Sequence, residues 1–233
     1  MTDNSRILKD IDDTTVKTAL DWLFDMGFNM ERLAQTKHES DKEHIDLRTV
    51  SKDEFLMYMS PAMMYSHIYD PKLKADLPFY DIMPLYFPID FRSDRMLAFN
   101  IHYIPPNTRK LFIKDYVRLL EDEARRRGFP SAENLPLTFV QRIGLAYLSE
   151  LYTTNNMVIG GIIRECVRTY LYSHIMSDLT IVKLKDWGKA VNVILPQFVK
   201  KSDNMIYKII RNEYNNHIDN YRTPISQWKG NFS

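Results

Sequence analysis

The chain has 233 residues, 45% of them hydrophobic and 26% charged, with a formal net charge of +1. That length can bury one real core, no apolar run nears the roughly 18 residues of a membrane span, and the charge balance argues against a protein that coats duplex DNA along its length. A single cysteine, Cys166, excludes an internal disulfide and fits a reducing compartment. The first residues, Met1 to Arg6, lack the charged-then-apolar layout of a secretory signal, so synthesis in a cytoplasm is expected.

The net charge hides an asymmetry. Residues 1–60 hold 8 Lys and Arg against 13 Asp and Glu, a net of −5, whereas residues 61–233 hold 23 against 17, a net of +6. The reading is an acidic helical extension over 1–60, a main domain over 61–217 and a tail over 218–233.

Within the extension, residues 12–26 are predicted helical. Asp12 and Asp13 supply the N-cap, Val16, Ala19, Leu20 and Leu23 one apolar stripe, and Gly27 the stop. Asn29 is placed to cap a second short helix to about Lys37, and 36–42 reads as a polar linker. Ser51 to Glu54 has the capping-box pattern of a helix ending near Pro61. This acidic leader is expected to pack separately from the β-unit that follows it.

Residues 61–106 carry seven of the eleven prolines and cannot be helical, because proline lacks the N–H a helix interior uses. Apolar residues recur at every second position instead, at Leu85, Phe87, Ile89 and Phe91, then at Leu97, Phe99, Ile101 and Tyr103. With Arg92 to Arg95 between them, 84–91 and 96–103 read as an antiparallel hairpin. Pro84 and Pro88 mark the first strand as an edge or as bulged.

Pro105 and Pro106 open a long helix through Phe112, Tyr116, Leu119, Leu120 and Ala124 that Gly128 stops. A second starts at Pro136 with Phe139, Val140, Ile143, Tyr147 and Leu151, and a third is predicted from about Met157 to Met176, weakened at Gly160 and Gly161. Residues 179–184 read as a strand returning to the sheet, and Asp186 as the cap of a turn carrying Trp187. Residues 191–195 fit strand or helix equally, Ser202 and Asp203 cap a last helix, and the chain from Asn215 is expected to be loose. The fold class is α+β: a small, barrel-like antiparallel β-unit packed with several helices.

Active-site chemistry finds little support. No Walker A loop, dinucleotide fingerprint or nucleophile elbow is present. His38 and His44 are the one local histidine pair, and they lie in the charged linker, so no metal or other cofactor is expected. Cys166 falls on an apolar stripe, where a thiol is buried and inert. Asp70, Lys72 and Asp81 have the residue types of a nuclease site, but Asp70-Pro71 is a plain turn signal. Tyr65, Tyr69, Phe79, Tyr80, Tyr86 and Tyr103 could stack bases, yet aromatics at period two are more often core. Asn100 and His102, at a strand end, read as residues that satisfy backbone groups. No catalytic residue is proposed from the sequence.

Basic residues are more informative. Lys110, Lys114, Arg118 and Arg125 recur at helical spacing and form a ridge, diluted by Asp115 and by Glu121 to Glu123. Lys200, Lys201, Lys208 and Arg211 form a second group around the last helix. These eight are the candidate DNA contacts, with a solvated face as the bland alternative.

Four strings in the chain resemble the DNA end-protector protein family of tailed phages related to T4. They are Tyr69-Asp70-Pro71-Lys72, Leu77-Pro78-Phe79-Tyr80-Asp81, Met83 to Ile89, and Phe99-Asn100-Ile101-His102-Tyr103-Ile104-Pro105-Pro106. Tyr170-Leu171, His174, Trp187, Leu195-Pro196 and Phe198-Val199-Lys200 echo the pattern further on, so the likeness spans about 62 to 212. Ala98 stands where the family pattern has Gly, and Phe79 where it has Tyr. The resemblance implies a minor virion protein at the end of packaged DNA, shielding it from host exonuclease. Taken with the composition and motifs above, the expectation is a non-enzymatic virion protein, made in the host cytoplasm, without cofactor or membrane association. It would bind the end of packaged double-stranded DNA or the head-neck and portal region. The alternative is a structural tail, neck or baseplate component that contacts only phage proteins, and a nuclease ranks third.

Overall fold

Proline placement and period-two patterning build the centre of the molecule. The structure, a computed structural model, describes residues 6–25, 59–153, 166–176, 179–193, 198–202 and 204–208. Strands β1 (Met64–Ser66), β3 (Leu85–Phe91), β4 (Arg95–Asn100), β5 (Val167–Leu171) and β6 (Thr180–Val182) form one sheet in the order β5-β4-β3-β1-β6. Every neighbouring pair is antiparallel. A separate antiparallel pair joins β2 (Tyr80–Asp81) to β7 (Phe198–Val199). The helices are α1 (Arg6–Asp13), α2 (Val16–Asp25), α3 (Pro106–Arg127), α4 (Leu137–Thr153) and the single turn α5 (Trp187–Ala190), with a further helical turn over 204–208. The fold is α+β. The sheet is open, with β5 and β6 at its edges, so the expected barrel-like closure has no counterpart among the described residues.

The hairpin forms as expected, and the Arg92 N–H donates to the Arg95 carbonyl (2.8 Å) to close its loop. Strand β3 is interior, not an edge, and proline is accommodated by a bulge between Pro88 and Asp90. The Pro88 carbonyl still serves as an acceptor, for the Ala62 N–H at 2.9 Å. Because a bulge shifts the phase of a strand, the expected stripe splits. Phe87 packs in one core and Phe91 in the other. Strand β4 also ends earlier than expected. The Asn100 side chain accepts the His102 N–H at 2.9 Å and turns Ile101–Tyr103 into a 3-10 turn.

Three further expectations need correction. The helix predicted over 157–176 is not helical in its second half, where Val167–Leu171 pairs with β4 in the register Arg95↔Leu171 to Phe99↔Val167. Its apolar spacing fits a helix equally well, and the open edge of β4 decides for strand. The helix predicted over 12–26 is two helices broken at Thr14 and Thr15. Asp12 and Asp13 end α1, and the cap of α2 is Thr15, whose Oγ1 accepts the Thr18 N–H at 3.2 Å. Lastly, residues 6–13 do not pack apart. Ile7, Leu8 and Ile11 lie in the main core, and Asn192 Nδ2 donates to the Ile11 carbonyl at 3.0 Å. A side chain at Gly188 would come within 2.8 Å of the Ile11 backbone nitrogen, so glycine lets α1 lie against α5. The elements expected over 29–37 and 51–58, the linker, Gly160, Gly161, Leu195, Pro196, Arg211 and the end from Asn215 lie outside the described residues.

Both faces of the sheet are buried. One face carries Met64, Leu85, Phe87, Phe99 and Val182 against α1, α3, α4 and Trp187. The other carries Tyr65, Tyr86, Met96, Ala98 and Tyr170 against Met59, Tyr69, Tyr172 and Ile175. The long helix α3 begins at Pro106 and ends at Gly128, whose φ of 77° is the left-handed conformation that suits glycine at a helix end.

Candidate nucleic-acid interface

Two kinds of polar site arise from this arrangement, one buried and one at the surface. The buried one forms where the β3–β4 hairpin meets β2. Asp81 Oδ1 accepts the Met83 N–H at 2.9 Å, while Oδ2 accepts Asn100 Nδ2 at 2.9 Å and meets His102 Nδ1 at 2.9 Å. Asn100 Nδ2 also donates to the Tyr170 hydroxyl at 2.9 Å. The Asp81 and His102 side chains are only 2% and 3% exposed. An adjacent cavity of about 20 Å³, lined by His102, Ser66 and apolar groups, has room for about one water molecule and none for a substrate. The network binds β2 to the sheet. Asn100 satisfies a backbone group as expected, and His102 meets a carboxylate.

Nearby, His67 sits among the rings of Tyr69, Tyr86 and Tyr170 at centroid distances of 5.8, 5.0 and 5.5 Å. Its Nδ1 is hydrogen-bonded to the Tyr86 hydroxyl at 2.8 Å, and Nε2 has no hydrogen-bond partner among the described residues. Burial pushes the imidazole down to about 3, so it is neutral near pH 7. Tyr65, Tyr69, Tyr86 and Tyr103 are all buried, which makes them core and not a stacking platform. Asp70 closes an exposed turn by accepting from Lys74 Nζ at 2.8 Å. Cys166 is buried and forms no disulfide.

At the surface, the ridge on α3 is matched by carboxylates. Lys114 Nζ contacts Asp12 at 2.5 Å, Arg118 Nη1 contacts Asp115 at 3.3 Å, and Arg125 Nη2 contacts Asp122 at 3.4 Å. Lys110 is half-buried on the same helix. In the second group, Lys200 has a φ of 74°, and its Nζ donates to the carbonyls of Lys74, Ala75 and Leu77 at 2.6, 2.8 and 2.7 Å. It therefore tethers the 72–77 loop while remaining exposed. Lys201 is half-buried and Lys208 exposed, and Arg211 is the one candidate that is not described. Arg109, beside the ridge, is buried, with Nη2 donating to the carbonyls of His102 and Ile104 at 3.2 Å each.

A third basic group joins two neighbouring arginines of α3 to one of α4 by tertiary contact. Arg126, Arg127 and Arg142 all donate to Glu123, whose side chain is 5% exposed. The Arg127 guanidinium lies 3.9 Å from the Phe139 ring centroid, and that of Arg142 lies 5.2 Å from it. Hydrogen bonds from Arg127 and Arg126 hold the Glu123 carboxyl below its ordinary range. The run Arg125 to Arg127 is visible in the sequence, but nothing there ties Arg142 to it.

Among the described residues, no three His, Cys, Asp or Glu side chains cluster as metal ligands, and no helix is long and apolar enough to cross a membrane. The His38 and His44 pair lies outside the described residues. Compared with known proteins, residues 34–214 match the family model of the phage T4 terminal DNA protecting protein. No curated protein and no solved structure gives a match.

Proposed function

The chain belongs to the phage T4 terminal DNA protecting protein family, and from that premise we propose that it is a non-enzymatic virion protein covering the ends of packaged double-stranded DNA. The observation that carries this reading is the extent of the match, 34–214, which takes in the whole sheet with α3 and α4. A non-enzymatic role is supported by Asp81, one of the carboxylates with the residue type of a nuclease site, because its oxygens are committed to Met83, Asn100 and His102. DNA contact falls to Lys110, Lys114, Arg118 and Arg125 on α3 and to Lys200, Lys201, Lys208 and Arg211 near the chain end. Phage head, neck or portal proteins are the second partners, reached after synthesis in the host cytoplasm, with the acidic extension as a protein contact. Since the α3 ridge is largely paired, it neutralises few phosphates, so its share of the affinity and of the salt dependence is modest.

A gel-shift titration of linear duplex at low and moderate salt, combined with exonuclease digestion of the same duplex, tests this. The expected result is a salt-sensitive complex at micromolar protein and slower digestion from the ends. If no such complex forms, DNA contact by the isolated chain is abandoned for a tail, neck or baseplate component that binds protein only. The paired ridge is the observation that favours that second reading. In that case charge reversal of Lys200, Lys201, Lys208 and Arg211 would disturb particle assembly instead.

A further inference from the structure

Three guanidiniums share one carboxylate where α3 ends against α4, whereas Lys114, Arg118 and Arg125 each face a carboxylate of their own. We propose that Arg126, Arg127 and Arg142 form a preorganised site for the phosphates of duplex DNA. The proposal rests on the DNA-protecting reading and adds a third contact surface to it.

The argument is one of charge surplus and rigidity. Three positive charges against Glu123 leave a formal surplus of two. The negative end of α3 offsets roughly half a unit of that. Neighbouring carboxylates are otherwise engaged: Glu121 accepts the Ala132 N–H at 3.2 Å, and Asp122 pairs with Arg125. Glu133 is exposed on the following 3-10 turn. The buried Glu123 anchors the forks from below, and the Phe139 ring holds two of them from the side. Their outer edges remain available, since the Arg126 and Arg142 side chains are 73% and 62% exposed. Planar forks held in place lose little entropy on binding and match phosphate oxygens in a bidentate manner. The sequence spacing of nineteen residues between Glu123 and Arg142 means that the site exists only in the folded chain.

The test compares the full chain with the double variant Arg126→Gln/Arg142→Gln. Arg127, at 36% side-chain exposure, is kept as the partner of Glu123 and Phe139. The probe is a fluorescent linear duplex with 5′-phosphate ends, read by anisotropy over a salt series, and a thermal melt checks the fold. At about 0.1 M salt the variant should bind about tenfold or more weakly, with the slope of log affinity against log salt reduced by about 2. If the full chain binds and the variant matches it within about twofold, the site is wrong while the DNA-protecting reading stands. If the full chain itself gives no salt-sensitive binding, both fall. A labelled poly-glutamate peptide serves as control. Binding of that peptide as tight as that of the duplex, lost in the variant, would overturn the DNA assignment in favour of an acidic protein partner.

Discussion

The two faces of the sheet are both buried, but by different chemistry. On the helix-covered face Phe87 meets Phe112, Tyr116 and Trp187 at centroid distances of 5.9, 5.6 and 5.2 Å, and shape decides the fit. On the opposite face Tyr86 and Tyr170 surround His67, and Tyr170 shares Asn100 with Asp81, so hydrogen-bond satisfaction decides. Tyr86 and Phe87 are consecutive and both fully buried, yet they should answer to different substitutions. One face is sensitive to volume and the other to lost hydroxyls.

The largest expected effect is on the first face. Phe87→Ala should cost about 4 kcal/mol in a denaturant titration, the range for removing a buried aromatic. Gly144→Ala should cost about 3 kcal/mol, because its Cβ would lie 1.7 Å from the Tyr116 hydroxyl and 2.4 Å from Ala62 Cβ. Tyr116 donates to the Ala62 carbonyl at 2.7 Å, so the new methyl group also endangers that bond. A cost below about 1 kcal/mol for either would mean that this face is loosely packed and the contrast is false.

On the second face Tyr86→Phe keeps the ring and removes only the hydroxyl. The loss expected is about 2 kcal/mol, because His67 Nδ1 is left without its hydrogen bond. Asn100→Ala should cost at least as much, since it opens contacts to Asp81, Tyr170 and the His102 N–H together. A neutral Tyr86→Phe would erase the distinction between the faces.

Acid should separate them further. His67 is held neutral by burial with a folded value of about 3, well below the ordinary 6.5. The unfolded chain therefore takes up the proton first. Stability is fully present above pH 6.5 and is lost as pH falls from there toward 3, by at most about 1.4 kcal/mol per pH unit. His67→Phe should flatten that part of the acid limb in thermal melts, although it lowers stability at neutral pH. An unchanged acid limb would remove His67 as its cause.

The smallest effect concerns the turn that leads into β1. Ala62 has a φ of 60°, fixed by its N–H to the Pro88 carbonyl and by Tyr116 on its own carbonyl. Ala62→Gly relieves the left-handed strain but adds unfolded-state freedom that opposes it, so a net gain of under about 1 kcal/mol is expected. A clear loss would show that the Ala62 methyl, part of the main core, contributes more by packing than it costs by strain.

Local chemistry settled what the sequence by itself determined. Proline at 84, 88, 105 and 106 excluded helix from the hairpin block and started α3, Gly128 stopped it, and period two paired β3 with β4. The strings around Tyr69 to Ile104 also carried the family likeness. Tertiary structure decided the rest, because the deciding partners are far along the chain. The Val167–Leu171 segment is a strand since β4 offered an edge, an acceptor that its own helical spacing could not reveal. The bulge at Pro88 sent Phe91 to the opposite core, which a simple alternation cannot foresee. Ile7 and Ile11 joined the main core because Gly188, some 180 positions on, leaves room for α1. The arginine cluster has the same origin. Arg125 to Arg127 are adjacent by sequence, but the buried Glu123 and the packing of α4 against α3 turn two of them, with Arg142, into a fixed array. A periodicity reports which side of an element is apolar, and only the folded chain reports what that side meets.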